Sequence, residues 1–438
     1  MAAVGMAASL SAPALAAQPT TASTTAAAAL APAFAQVSVP SPAIQPAPPG
    51  RLEIFSWWTT GGEAAGLNAL FEMYRAQNPG VDIVNATVAG GAGSNAKAVL
   101  KTRMLGGDPP DSFQVHMGHE LIDTWVTTGF MEPLDSVYEE MGFNTQFPQG
   151  VLDIVSYQGH PYSVPVNIHR ANVLWFNTQV FADAGLQPPQ TFDDFFAAAD
   201  ALQARGIIPL ALGDKDTFES VQVLETVLIG TLGPDAYKGL WTGQTPWTDP
   251  GVTQALQTTR RMLGYVNSDH AGLTWDQADD LVISGKAAMT IMGDWTDGDF
   301  TAKKFTNYGW AATPGSQGVY DALSDTFGLP NGAKDRQQVL NWLRLIGTAE
   351  AQDAFNPLKG SVPANLNAGT AQYDTYLQSA MSDWKTNTIV PSLAHGAAAS
   401  EGWLTAISDA VTVFVTRQDV GATQQALVQA AIDAGIAQ

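Results

Sequence analysis

Arg51-Leu-Glu-Ile-Phe-Ser56, Val81-Asp-Ile-Val84 and Pro110-Asp-Ser-Phe-Gln-Val-His116 are three short apolar runs separated by longer segments of helical period. Each has the length and the aliphatic or aromatic content of a buried strand. Between the first two, Ala65, Leu67, Leu70, Phe71 and Tyr74 fall at helical spacing from Glu63 to Gln77, and Asn78-Pro79-Gly80 stops the run. A second helix leads from the turn Gly90-Gly91-Ala92-Gly93 to Leu105. Strand–helix–strand–helix–strand at this spacing predicts a parallel, doubly wound α/β layout.

A second alternation follows downstream. Thr191 is placed to cap a helix from Phe192 to Arg205, with Asp193 and Asp194 in its first turn. Ile207-Ile-Pro-Leu-Ala-Leu212 and Ala287-Ala-Met-Thr-Ile-Met292 read as strands, and from about Arg336 the chain is nearly all helical. Two α/β units with a helical tail predict two lobes. Residues 162–176 carry Val164, Val166 and Val173 with little turn signal, the character of a chain crossing between lobes. There is no internal repeat.

Upstream of Arg51 the composition changes. Residues 1–50 hold no charged side chain, 18 Ala and 8 Pro. Such a segment cannot build a packed core, and Pro40, Pro42, Pro46, Pro48 and Pro49 favour an extended linker. Its apolar start and the small-residue sites Ala14-Leu15-Ala16 and Ala33-Phe34-Ala35 resemble an export signal, although a basic first segment is missing. The folded body is expected to begin near Arg51.

Composition bounds the function. Across 438 residues, 45% are hydrophobic and 14% charged, which excludes intrinsic disorder and a coiled coil. A net charge of −21 disfavours a polyanion partner such as nucleic acid, because phosphate contacts need a basic face. With no cysteine, disulfides, thiolate zinc sites and thiol catalysis are excluded. No run after the N-terminus has the 18 uninterrupted apolar residues of a membrane span.

The chain holds 12 Trp, several beside polar or Gly-rich turns instead of in core patterns. Ligands of open α/β sheets bind beyond the carboxyl ends of the strands. Trp57, Trp58, Gln114, His116 and Trp295 all sit at such ends. Successive side chains of an extended strand point opposite ways, so at least one of Trp57 and Trp58 is free to line a cleft. Any single Trp can equally seal the core. Aromatic faces beside carboxylate, carboxamide, Lys and His groups suit a neutral polyol: the ring covers the C–H face and the polar groups meet hydroxyls. Charge-assisted hydrogen bonds contribute about 1.5–3 kcal/mol against about 1 for neutral ones, and Asp325 and Lys359 are the best candidates for them.

Other motifs carry less. His116 and His119 form H-x-x-H, but His116 belongs to a strand end, and no metal or other cofactor is expected. The Gly90–Gly93 turn fits neither nucleotide fingerprint, and no Gly-x-Ser-x-Gly elbow is present. Asp193/Asp194 and Asp279/Asp280 read as helix caps and solvated faces, so no catalytic residue is assigned.

With these segments in hand, the body from Arg51 to Gln438 resembles the extracellular sugar-binding proteins of ABC importers, closest to the bacterial glucose/galactose-binding members. The resemblance rests on an ordered set. It comprises Ile54-Phe-Ser-Trp-Trp58, the stretch from Asn95 to His116, Val164-Pro-Val-Asn-Ile-His-Arg-Ala-Asn172 and Gly285-Lys-Ala-Ala288. It continues with Met292-Gly-Asp-Trp295, Leu323-Ser-Asp-Thr-Phe-Gly-Leu-Pro330, Asn356-Pro-Leu-Lys-Gly-Ser361 and Leu393-Ala-His-Gly396. It implies a two-lobe periplasmic-binding-protein fold, each lobe a mainly parallel sheet flanked by helices, with the cleft between them. Lobe one would comprise 51–165 with 320–365, and lobe two 166–319 with 366–438. The implied sugar site takes Trp57, Trp58 and Glu63 from the first strand end and the turn after it. Gln114 and His116 come from the third strand, Trp275 and Trp295 from lobe two, and Asp325, Lys359 and His395 from later segments. His169 lies near the cleft.

The resemblance implies an exported, periplasmic, monomeric protein that binds a monosaccharide by lobe closure and delivers it to an inner-membrane ABC permease. Mannose or a short oligosaccharide is the alternative ligand. A secreted carbohydrate-active enzyme is the alternative class; it would need two carboxylates roughly 5–10 Å apart across the scissile bond, and only Asp325 and Glu63 are near the expected site.

Overall fold

The computed structural model describes residues 50–90 and 93–436. The expected export signal and most of the linker lie outside the described residues. Among the described residues there are fourteen strands: β1 (Arg51–Phe55), β2 (Asp82–Asn85), β3 (Ser112–His116), β4 (Ser156–Tyr157), β5 (His160–Pro161), β6 (Ser163–Pro165), β7 (His169–Arg170), β8 (Val173–Asn177), β9 (Ile208–Ala211), β10 (Ala287–Met292), β11 (Tyr308–Ala312), β12 (Val319–Leu323), β13 (Asp325–Gly328) and β14 (Thr388–Pro391). They form a five-stranded sheet in the order β2-β1-β3-β13-β6, a four-stranded sheet β11-β8-β10-β9, a three-stranded sheet β14-β12-β7 and the hairpin β4-β5.

The decisive stretch folds as its pattern predicts. Leu52, Ile54, Phe113 and Val115 are fully buried, because helices cover both faces of β1 and β3. Strands β2, β1 and β3 are parallel, joined by the helices Gly61–Gln77 and Ser94–Leu105. The Thr191 cap is present, completed as a capping box by Asp194.

Parallel pairing is narrower than expected. It is confined to β2-β1-β3, to β9-β10 and to β12-β14. Strand β13 runs antiparallel to β3 and β6, and β8 runs antiparallel to β10 and β11. These strands enter from the crossing segments rather than through a β–helix–β crossover, which is the connection that enforces parallel pairing. The helical tail is also interrupted, by β14.

The 162–176 segment passes from sheet to sheet. It leaves the five-stranded sheet at β6, adds β7 to the three-stranded sheet and enters the four-stranded sheet at β8. Strands β12 and β13 make the return crossing, and β14 makes the third. Among the described residues no helix is long and apolar enough to cross a membrane.

Close helix packing then positions the cleft. The helix Gly61–Gln77 meets the helix Ala349–Lys359 through Gly62, where a Cβ would lie 2.2 Å from the Leu358 carbonyl oxygen. The helix Trp295–Ala302 meets the same end through Gly298, 2.5 Å from the Lys359 carbonyl oxygen by the same measure. Gly360 caps that end at φ +76°, a left-handed conformation that disfavours a side chain. Three helices thus converge on Lys359. Lys359 is the last residue of its helix; Pro357 sits inside the final turn, losing one backbone hydrogen bond.

Candidate functional site

Beyond the carboxyl ends of β1, β3 and β10 lies a cavity of about 280 Å³. Of the expected site residues, all but Gln114 line it. Both Trp57 and Trp58 do so, because β1 ends at Phe55 and the two residues follow in a loop where strand alternation no longer applies. Trp58 is buried against Phe327 and Phe355, at ring-centroid distances of 5.7 and 5.0 Å, and so both packs the core and walls the cavity. Trp275 and Trp295 each open a helix on the opposite side.

The polar centre is Asp325, at the start of β13 and opposite His116 in register. It is 2% exposed. One carboxylate oxygen accepts from Gln114 Nε2 at 2.7 Å; the other accepts from Asn167 Nδ2 at 2.8 Å and lies 3.2 Å from His169 Nε2. Burial alone would raise this carboxyl. The hydrogen bond from His169 and the positive field of Lys359, His169 and His116 outweigh it, holding Asp325 ionised well below the usual carboxylate range. Gln114 lies beneath the cavity, not on its wall. Its Oε1 accepts from the Trp57 backbone N–H at 3.2 Å, so it holds Asp325 and the Trp loop together.

His169 sits between Asp325 and Asp294, whose carboxylate it contacts through Nδ1. Burial disfavours the imidazolium and Lys359 repels it, but the two carboxylates win and its pKa is raised. His395 is the converse. Burial, then the charges of His116, Lys97 and His169, push it well below its usual value, so it is neutral, with Nδ1 2.9 Å from Ser392 Oγ. His116 places Nδ1 2.9 Å from Glu120 and Nε2 3.6 Å from Asp325.

The Lys359 side chain is 2% exposed and pairs with Glu63 at 3.0 Å. Its ammonium lies 5.7 Å from the Trp58 ring centroid and 5.6 Å from that of Trp295, within cation–π range. The cavity therefore offers ionised acceptors, a cationic donor, a neutral imidazole and aromatic walls.

His169 is a lining residue, and Asn167 and Asp294 hold the centre from behind. Asn167 and His169 share one side of an extended segment, a period-2 signal present in the sequence. Asp216, Thr274 and Asp276 also line the cavity from loops and a helix start, with no pattern to mark them. The H-x-x-H histidines separate: His119 is at the surface 2.7 Å from Asp123, and no metal-holding group exists among the described residues. Asp279 is not on a solvated face. It is fully buried, and burial pushes its carboxyl well above the usual range.

Comparison with known proteins bears on this geometry. Residues 58–353 match the family model described as bacterial extracellular solute-binding protein. An ABC transporter extracellular-binding protein of Pyrococcus horikoshii, itself named as uncharacterized, is 38% identical over 87% of this chain and 87% of its own. A Brucella suis protein named as a probable sugar-binding periplasmic protein is 31% identical over 83% of this chain and 87% of its own. Among solved structures, the bacterial solute receptor AcbH, described as having an exclusive preference for β-D-galactopyranose, superposes with a TM-score of 0.79. It is 22% identical and covers 88% of this chain and 99% of its own, which shows a shared fold.

Proposed function

The chain belongs to the bacterial extracellular solute-binding proteins, a family of binding proteins and not of enzymes, and from that premise we propose that it binds a hexose of the glucose or galactose type and delivers it to an ABC-type membrane permease. The observation that carries the reading is the pairing of a buried, ionised Asp325 with a buried Lys359 on the wall of one aromatic cavity. A carboxylate and an ammonium meet sugar hydroxyls with charge-assisted hydrogen bonds, while Trp57, Trp275 and Trp295 cover apolar C–H faces. A volume of about 280 Å³ falls just below the roughly 300–1,000 Å³ usual for drug-sized ligands and suits one sugar ring.

Hydroxyl recognition further uses Glu63, His116 and neutral His395. The lobes are 51–165 with 320–365 and 166–319 with 366–438; the crossing sheet β14-β12-β7 supports this division, since the chain passes through it at each change of sheet. Sugar contacts from both sides favour the closed form, because a ligand shifts an equilibrium only through its preference for one state. The protein acts outside the cytoplasmic membrane as a monomer, consistent with relatives named as extracellular-binding and periplasmic.

Calorimetric titration of the purified protein with glucose, galactose and mannose tests the reading. One-to-one saturable binding of glucose or galactose is expected. A preference for mannose would redirect the specificity, and the absence of binding to all three would refute the hexose assignment.

A further inference from the structure

Glu225 is a fully buried carboxyl group outside the sugar cavity. It stands midway along the helix Phe218–Leu232, and burial pushes it up to about 7. Four donors converge on it. Oε1 accepts from the Leu393 backbone N–H and from the Tyr237 hydroxyl at 2.9 Å. Oε2 accepts from the Ala394 backbone N–H at 3.2 Å and from the Ser392 hydroxyl at 3.4 Å. Three of these donors belong to the turn that follows β14 and carries His395 to the cavity wall. The helix therefore grips that turn through one side chain.

The same contacts reach the imidazole itself. A neutral histidine has one N–H and one bare nitrogen, and the hydrogen bond made by one nitrogen sets the role of the other. His395 is neutral, and its Nδ1 lies 2.9 Å from Ser392 Oγ. Ser392 has a single hydroxyl proton to give. An ionised Oε2 can only accept, so that proton goes to Glu225 and Ser392 Oγ accepts from Nδ1–H. Nε2 is then the bare nitrogen left for the cavity. A proton taken up by Glu225 does not reverse this chain. It has a place on Oε1, donating to Tyr237 Oη, while the Tyr237 hydroxyl turns to the Pro391 carbonyl at 3.1 Å. Oε2 stays an acceptor in either state. The ring plane is held edge-on to Trp295, His116 and Phe218, at centroid distances of 5.1, 5.6 and 6.0 Å.

We infer that Glu225 and Ser392 are positioning residues that lock His395 in its Nδ1–H tautomer, so that Nε2 meets the ligand as a hydrogen-bond acceptor and selects a group that donates. The inference rests on the hexose reading of the cavity, which makes that group a sugar hydroxyl. Asp325 and His395 then both take hydroxyl protons, while Lys359 donates to hydroxyl oxygens.

The test is long-range ¹H–¹⁵N spectroscopy of the full chain labelled with ¹⁵N-histidine, with the His395 signals assigned by their loss in His395→Gln. In the ligand-free protein Nδ1 is expected in the protonated-nitrogen range and Nε2 in the bare-nitrogen range. Ser392→Ala removes the acceptor and should draw the two shifts together as the tautomers mix. Glu225→Met frees the Ser392 hydroxyl to donate to Nδ1 and should invert them. Calorimetry with glucose and galactose gives the second readout. Ser392→Ala should weaken the bound hexose about three- to tenfold, and should cost nothing further in a His395→Gln background, whereas a purely structural Ser392 would cost the same in both. A ligand-free wild type protonated at Nε2, or an equal Ser392→Ala loss in both backgrounds, overturns the inference. The wild-type spectrum decides the tautomer even if a variant fails to fold. Absence of hexose binding overturns the hexose reading, and hydroxyl selection with it, while the ligand-free spectrum still decides the lock.

Discussion

Replacing Lys359 by Met separates its charge from its packing. The side chain is 2% exposed, and its ammonium is 3.0 Å from Glu63 and within cation–π range of Trp58 and Trp295. Methionine keeps nearly the same volume and the apolar stem but removes the donor. Loss of a charged hydrogen-bond donor to the ligand costs about 1.5–3 kcal/mol, a rise in Kd of roughly 10- to 150-fold at about 1.4 kcal/mol per decade. The folded state changes less. It loses an ion pair and two cation–π contacts of about 0.5–1 kcal/mol each, but it no longer buries an ammonium. Stability should therefore stay within about 2 kcal/mol of wild type, read as a small shift in the urea midpoint at constant slope. Glu63 complicates the reading, because Lys359 could act only by orienting it. Titrating Lys359→Met, Glu63→Gln and the double variant with the bound hexose resolves this. The Lys359→Met loss should persist in the Glu63→Gln background. Wild-type affinity in Lys359→Met, or a loss that vanishes once Glu63 is neutral, would refute direct contact.

Asp325→Asn sets its amide NH₂ against one of two donors, Gln114 Nε2 or Asn167 Nδ2, and removes the counter-charge from His169; sugar binding should fall below detection and stability by about 3–5 kcal/mol, the range for breaking a buried charge pair, measured by urea unfolding. His169 has a raised pKa between two carboxylates, so its stabilising charge is fully present below the unfolded value of about 6.5 and is lost as pH rises through the folded value. The stability difference between wild type and His169→Gln should accordingly be largest near pH 5.5 and shrink above neutrality; a constant difference across that window would contradict the ion-paired imidazolium. His395 is held neutral well below pH 6.5, so wild type and His395→Gln should show parallel affinity profiles from about pH 7.5 to 5.5. A pH-dependent gap between them in calorimetry would show that His395 titrates there.

The α/β alternation was legible because periodicity is local: a 2-residue or 3.6-residue repeat is visible in any window. The cleft end was legible for a similar reason, since Trp57 follows a strand, His116 ends one, and the ligand side of an α/β sheet lies at strand carboxyl ends. Strand direction was not. Nothing local in 325–328 says whether β13 runs with or against β3; the path through the crossing sheet decides that. Gln114 was expected at the site and lies beneath the cavity, because strand register decides which side chains reach the wall. Asp216, Thr274 and Asp276 were not legible, because loop residues and helix starts carry no period and reach the cavity only through tertiary placement. The end of the helix at Lys359 was not legible either: Pro357 usually ends a helix, whereas packing against Gly62 and Gly298 carries this one on to Lys359.

A crystal structure of the purified protein with glucose or galactose tests the central claim most directly. One pyranose ring is expected between Trp57, Trp275 and Trp295, with hydroxyl oxygens within hydrogen-bond distance of the Asp325 carboxylate and the Lys359 ammonium. Sugar bound elsewhere, or bound in this cavity without contact to either Asp325 or Lys359, would contradict it.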